Sequence, residues 1–533
     1  MSKSYDYIIV GAGAAGCVMA YRLSANQDCQ VLLLEAGPAD KSLYIHMPKA
    51  IGKALSQPDL VWPYQTEAQG DNNDTPEFWA RGKTLGGSSA VNGMMYVRGQ
   101  PGDFDTVAKD TSNDWNWAKI GEAYRQLESH ALGEDKTRGA NGPLHISMPT
   151  MKNELTEALI DSGVALGLAR KEDVNSPDDA PCVGYAPRTV RKGRRETAAT
   201  AFLNPIRSRP NLTVKTGVTV DRLMVEGRRA VGVHVIEGGK SNTYHCSSEV
   251  ILAAGALASP AMLQRSGIGP ADELRAAGID VLEDSPNVGR NLREHRAMVM
   301  QWRVRDELSF NAAHKGAQLL GNIARYYLKH DGVLAAATYE IGAWFKTEAA
   351  LDRPDGQFLI APYSFDYSQP VMDTESFGGM QFCVYQLRPD SQGSLTVRSS
   401  DPTVLPKIAA NYYSEPADRK RMIDVVRFAR EYVRHPLLKD MVFEETRPTL
   451  DYQTDDEIIT AYNKFGNGAY HASGTCRMGA DNSSVVDPQL RVRGLEGVRV
   501  VDTSITPFIV AGNTQGPAMA MAWRAADLII NRV

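Results

Sequence analysis

The chain has 533 residues, 43% hydrophobic and 23% charged, which suits a soluble globular protein of two packed units and excludes a disordered chain. Its net charge of −5 is small for this length and it has no long basic block, so nucleic acid is excluded as a partner; Arg191–Arg195 and Arg419–Arg421 read as solvated surface. No apolar run is long enough for a spanning helix, and the cysteines (Cys17, Cys29, Cys182, Cys246, Cys383, Cys476) form no C-x-x-C pair, so neither a zinc site nor a disulfide framework is expected.

Met1 runs within a few residues into the strand-like Tyr5–Val10, leaving no room for a secretory signal; a reducing, cytoplasmic setting is the expectation. A glycine turn, the helical Ala15–Leu23 and the strand Val31–Leu34, ending at Glu35, complete a βαβ unit. From Pro38 to Gly102 the chain is rich in Gly, Pro, Asn and Asp and reads as an extended excursion over another surface. A helix is expected over Asn153–Leu168, then three strands, Leu212–Val220, Ala230–Ile236 and Thr243–Leu252, returning to the first unit. Beyond Arg293, Gly316–Lys329, Gln381–Arg388, Ser394–Arg398 and Ala417–His435 alternate strands with amphipathic helices in a second, sheet-based domain. The strand Val498–Asp502 and the helix Pro517–Asn531 complete the first domain, which is therefore discontinuous.

Gly11-x-Gly13-x-x-Gly16 follows a strand and opens a helix, where glycines permit the tight turn, the approach of a pyrophosphate and close packing of helix on sheet. Phosphates favour such a helix N-terminus, with its unpaired N–H groups and positive dipole end. Glu35 lies 19 residues after Gly16, at the end of the next strand, where a carboxylate accepts both ribose hydroxyls and disfavours a 2′-phosphate. Two further glycine clusters, Arg81–Gly93 and Gly255–Gly269, and the segment His471-Ala-Ser-Gly-Thr-Cys-Arg-Met-Gly479 stand out.

With these clusters and that segment, the chain resembles the glucose-methanol-choline (GMC) oxidoreductases from the first motif to the last helix, nearest the choline dehydrogenase-like and alcohol dehydrogenase branch. The resemblance implies an α/β fold (α+β overall): a Rossmann-like FAD-binding domain over 1–150, 205–293 and 465–533, and a substrate domain over 151–204 and 294–464 on an antiparallel sheet flanked by helices. It places Gly11, Gly13, Ala14, Ala15, Gly16 and Glu35 at phosphate and ribose, and Gly87, Ser88, Asn92, Gly93 and Met95 along the ring and ribityl chain. Trp62 and Val220 lie near the cofactor, and Asp502 near the ribityl or pyrophosphate. Some relatives attach FAD through a histidine in the Gly-Gly-Ser-Ser stretch; here Ala90 and Val91 stand there, so FAD is expected to be non-covalent.

Removing hydride from an alcohol carbon requires the hydroxyl proton to leave, and a neutral imidazole accepts it at neutral pH. His471, followed by the turn residues Gly474 and Thr475, is the expected base, facing the flavin as its family counterpart does. Asn513, 42 residues later, matches a family position that hydrogen-bonds the substrate oxygen; an amide takes no proton, so it orients the alkoxide. Pro517 suits a first helical residue capped by Gln515 or Gly516, which would put Thr514 and Gln515 at a positive dipole end by the reduced ring. Ser259–Pro260 reads as a cap and first helical turn, either structural or supporting the cofactor; His46 reads as a loop contact, and His295 as a domain-interface or salt-bridged surface residue. No metal site is expected. The expected reaction is oxidation of an aliphatic or aromatic primary alcohol to the aldehyde, with electrons passing to a quinone, a dye or oxygen. A GMC-fold lyase, or an enzyme acting on choline or a sugar, is the alternative, and a monomer or homodimer is expected.

Overall fold

The computed structural model describes residues 4–68, 75–368 and 373–531. Tyr5–Val10 is buried along almost its whole length, as a strand covered on both faces must be. It pairs in parallel with Val31–Glu35 on one side and with the C-terminal half of the long strand Lys240–Leu252 on the other. Leu212–Thr216 and Val498–Val500 extend this parallel sheet outward. The N-terminal half of Lys240–Leu252 instead pairs antiparallel with Arg229–Glu237, which pairs with Val218–Glu226. The stretch expected as one strand, Leu212–Val220, is thus two, broken at Gly217, whose left-handed φ of +71° turns the chain out of the parallel layer.

The second sheet has the order Val442–Arg447, Arg296–Val304, Gly379–Gln386, Gly356–Ala361, Ile341–Phe345, Cys182–Tyr185, Ala169–Arg170, with Gly466–Gly468 also pairing along Arg296–Val304. It is antiparallel except for the edge pair Ala169–Arg170 with Cys182–Tyr185. Alternation divides its faces: Met298, Met300, Trp302, Phe382 and Val384 join a core with the helices Glu154–Ala165, Pro416–Val433 and Asp455–Phe465. Phe428 of the second helix stacks on Phe358 at 5.7 Å. The intervening residues Ala297, Val299, Cys383 and Tyr385 face a cavity between this sheet and the first. Gly316–Lys329 is helical as expected, and the helix expected over Asn153–Leu168 runs from Glu154 to Ala165 with Asn153 as its cap. The excursion after Pro38 holds short helices and the hairpin Val61–Gln65 with Phe78–Gly82, and buries Ile45, Ala54 and Trp79.

Two close approaches position the cavity floor. A Cβ on Gly16 would lie 1.9 Å from the carbonyl oxygen of Gly11, and one on Gly87 would lie 2.6 Å from the Cα of Gly13, so the first glycine turn and the second cluster touch backbone to backbone. Gly16→Ala is therefore expected to cost roughly 1–3 kcal/mol, as overpacking does. Gly52→Ala, in the helix Ile51–Leu55 with open space at its Cβ, should be neutral or stabilising by roughly 0.5–1 kcal/mol. Denaturant midpoints of the two variants check this; equal shifts would sink it.

Candidate active site

The cavity is about 620 Å³ and runs from the glycine turns to the inner face of the second sheet. The helix Ala14–Leu23 starts at Gly13 with no side-chain cap and no acidic residue in its first turn, which leaves its N–H groups and dipole for an anion. Beside it, Glu35 accepts the amides of Ala12 and Gly37, each at 2.9 Å, and burial lifts its carboxyl to about 7. Asp502 accepts the Gly255 amide at 2.9 Å and the Ser259 hydroxyl at 2.6 Å. Ser259 therefore lies inside its helix, Ala258–Arg265, and ties the third glycine cluster to Asp502. The C-terminal helix, Gln515–Ile530, also begins at the cavity without a side-chain cap. It starts earlier than expected, with Pro517 as its third residue; the preceding Gln515 and Gly516 already have helical geometry, and proline is tolerated throughout a first turn.

His471 sits where the chain leaves the second sheet after Gly466–Gly468, and Tyr470 before it adopts the left-handed φ of +66°. Its ring Nδ1 lies 2.9 Å from Nδ1 of His295, whose Nε2 lies 2.9 Å from the carbonyl oxygen of Leu387. A carbonyl only accepts, so His295 Nε2 carries a hydrogen. Burial holds the His295 ring neutral, with its pKa pushed down to about 4, so its Nδ1 is bare and accepts from His471 Nδ1–H. Burial, then His295 and Arg81, push the His471 pKa well below the usual histidine range. Its Nε2 is thus a free lone pair, 3.2 Å from the Asn513 amide nitrogen. One carboxylate oxygen of Glu294 accepts the backbone N–H of both His295, at 2.9 Å, and His471, at 2.7 Å. The Glu294 carboxyl is itself pushed up to about 7 by burial, with Arg81 opposing at 3.6 Å.

The residues picked from the sequence converge here. Gly11, Gly13, Ala14, Ala15, Glu35 and Asp502 line one end of the cavity. Trp62, Gly87, Ser88, Gly93, Met95 and Val220 line its length. Asn92, His471, Asn513, Thr514 and Gln515 also line it. Gly16 alone does not, acting through packing. His46 lies away from the cavity, on the Asp40 carbonyl.

The surface reading of Arg195 is corrected, and of the two readings open for His295 the salt-bridged surface turn is overturned. His295 is fully buried against His471, because Leu387 and His471 satisfy both ring nitrogens. Arg195 is also buried, with its guanidinium donating to the carbonyls of Ile45 and Asn92 and to the Asn92 side chain, and desolvation lowers its pKa to about 9. It orients Asn92, whose amide donates to Gln515. Sequence reasoning did not single out Glu294, Arg81 or Tyr385; the one local signal is an acid beside His295 at the entry to the second sheet.

Two family models, both described as GMC oxidoreductase, match residues 5–297 and 389–522. An oxygen-dependent choline dehydrogenase of Photobacterium profundum is 36% identical, over 99% of this chain and 94% of that protein. The pyridoxine 4-oxidase of Mesorbium loti superposes with a TM-score of 0.89 at 31% identity, covering 99% of both chains. A variant of the formate oxidase of Aspergillus oryzae RIB40 does so with a TM-score of 0.92 at 26% identity, covering 100% of this chain and 99% of the other.

The His295 pairing has a titration consequence. Between about 4 and 6.5 the unfolded imidazole binds a proton that the buried one refuses, so this group's stabilisation is complete above pH 6.5 and is lost as pH falls towards 4. Relative to His295→Gln, wild-type stability should rise with pH across that window, by at most about 1.4 kcal/mol per pH unit. Denaturant unfolding of both proteins at several pH values measures the difference, and parallel profiles would count against the assignment.

Proposed function

From its membership of the GMC oxidoreductase family, to which this chain belongs, we propose that the protein oxidises a primary alcohol, aliphatic or aromatic, to the aldehyde. The observation that carries the reading is the bare Nε2 of His471 beside Asn513 in the cavity wall. The cofactor is FAD, and the residues present fit it. The uncapped helix start at Gly13 suits its pyrophosphate. The unpartnered Asn513 Oδ1 and Gln515 Nε2 at the other end offer an acceptor and a donor. Bound there, FAD supplies the two-electron acceptor for the alcohol carbon.

The protein's own part is to hold the hydroxyl and take its proton. His471 Nε2 accepts the proton, while the charge that forms on the ring is shared through Nδ1 with His295. Asn513 Nδ2 donates to the alcohol oxygen as negative charge develops there. Glu294 fixes both histidine backbones, so it is a positioning residue. Gln515 and the start of the last helix offer donors towards the ring. With FAD in place, oxygen or a quinone-type compound would be the final electron acceptor. We place residues 1–150, 205–293 and 465–533 in the FAD domain and 151–204 with 294–464 in the substrate domain, a division the two sheets support except at Gly466–Gly468, which pairs with the second sheet. Six free cysteines, four of them buried, favour a reducing compartment such as the cytoplasm.

His471→Ala should lower kcat/KM by roughly 10²–10⁴-fold and Asn513→Ala by roughly 10²-fold, with FAD retained in both. Since the His471 pKa is depressed, the acid limb of kcat/KM should fall below the ordinary histidine range. Loss of activity in Asn513→Ala alone would overturn the base assignment. FAD is non-covalent in this reading, Ala90 and Val91 offering no nucleophile, so acid precipitation should leave the yellow colour in the supernatant. A yellow pellet is the contrary result.

A further inference from the structure

The sheet end of the cavity holds a cation that no described residue neutralises. Arg447 lines the cavity with its guanidinium carbon 4.1 Å from the ring centre of Tyr367 and 4.7 Å from that of Phe465. One guanidinium nitrogen donates to the Phe465 carbonyl at 3.2 Å, while Nε is buried with no partner. Among the described residues, no carboxylate forms an ion pair with it, and burial disfavours its charge, opposed only by Tyr367. A cation so placed is costly unless an anion meets it.

Its position is built by the strand. Gln301 pairs with Arg447, yet the next residue, Trp302, pairs with Glu445, so one residue on this strand is extra. Glu445 faces the helix side, where it accepts from Arg430 at 2.8 Å, and the bulge sends Arg447 to the opposite, cavity-facing side. The carboxylates that line the cavity, Glu35 and Asp502, belong to the glycine-turn end. Between Arg447 and His471 the wall carries Tyr339, Tyr367, Phe465 and Tyr385, whose ring centre is 6.0 Å from that of His471, among uncharged residues such as Val299, Cys383 and Asn467. Gln381 shares the Gln301 rung with Arg447, and Tyr385 lies four residues further along the same strand, on the order of 13 Å of backbone. A long side chain reaching back from Arg447 leaves room for a molecule of about one aromatic ring with a substituent at each end.

Resting on the alcohol-oxidising reading above, we propose that the substrate is an alcohol carrying a carboxylate at its far end, which Arg447 binds while the hydroxymethyl group meets His471 and Asn513. The same guanidinium repels a quaternary ammonium alcohol such as choline, which sets this site apart from the activity named for the choline dehydrogenase relative. A planar guanidinium pairs with a carboxylate through two parallel hydrogen bonds, so the preference is large.

The test is anaerobic flavin bleaching and kcat/KM of the holoenzyme with 4-(hydroxymethyl)benzoate, its uncharged counterpart 4-methylbenzyl alcohol, and choline. The carboxylate should exceed the neutral alcohol by on the order of 10²-fold and choline should leave the flavin oxidised. In Arg447→Gln the ratio of carboxylate to neutral alcohol should collapse towards one, and in Arg447→Lys it should fall less far. Equal rates for the charged and neutral pair, or choline as the best of the three, overturns the proposal while the alcohol reading stands. Bleaching by none of the three sinks that reading and this proposal with it. Should Arg447→Gln fail to fold, titrating the wild-type protein with benzoate and with benzamide reads the same preference through the flavin spectrum, and equal affinities overturn it.

Discussion

The hydrogen bond between Nδ1 of His295 and Nδ1 of His471, 2.9 Å long and closed off from solvent, is the contact on which the centre depends. It exists only because the Leu387 carbonyl takes the other nitrogen of His295 and fixes which tautomer each ring adopts. Without that carbonyl the proton could rest on His471 Nε2, and the lone pair facing Asn513 would be gone. The centre is thus set by a backbone group at the end of the strand Gly379–Gln386, in the sheet that also walls the cavity.

The same economy runs through the rest of the molecule. The parallel sheet carries the glycine turns that line one end of the cavity, and the antiparallel sheet gives one face to its helices and the other to the cavity. Backbone left uncapped at two helix starts, and glycines whose Cβ atoms would collide, keep the space between open. Buried cations are treated differently from place to place. Arg195 donates to carbonyls with one nitrogen left over and Arg430 pairs with Glu445, whereas Arg447 keeps its unused nitrogen at the cavity wall.

Much of this was legible in the chain. Gly11, Gly13 and Glu35 come together at one end of the cavity because the strand, turn and helix start that carry them lie within one stretch of sequence. His471 and Asn513 were legible through the motif around them. Arg195 was not, since its burial depends on a partner 150 residues away, and for His295 the choice between interface and surface turned on a partner 92 residues away. For Arg195 charge argued for surface, and long-range hydrogen bonds overruled it. The break at Gly217 and the bulge before Arg447 were hidden for a related reason: each is a change of direction set by which strand lies alongside.

Ala14–Leu23 packs against Gln515–Ile530, where Arg22 and Asp527 pair at 2.7 Å, and Val498–Val500 seals the outer edge of the strand Lys240–Leu252. The glycine turn at Gly11–Gly16 lies more than 450 residues before His471 and Asn513, so the two ends of the cavity come from opposite ends of the described sequence. The chamber is therefore closed only when the segment carrying His471, Asn513 and the helix Gln515–Ile530 docks on a βαβ unit made far earlier in synthesis.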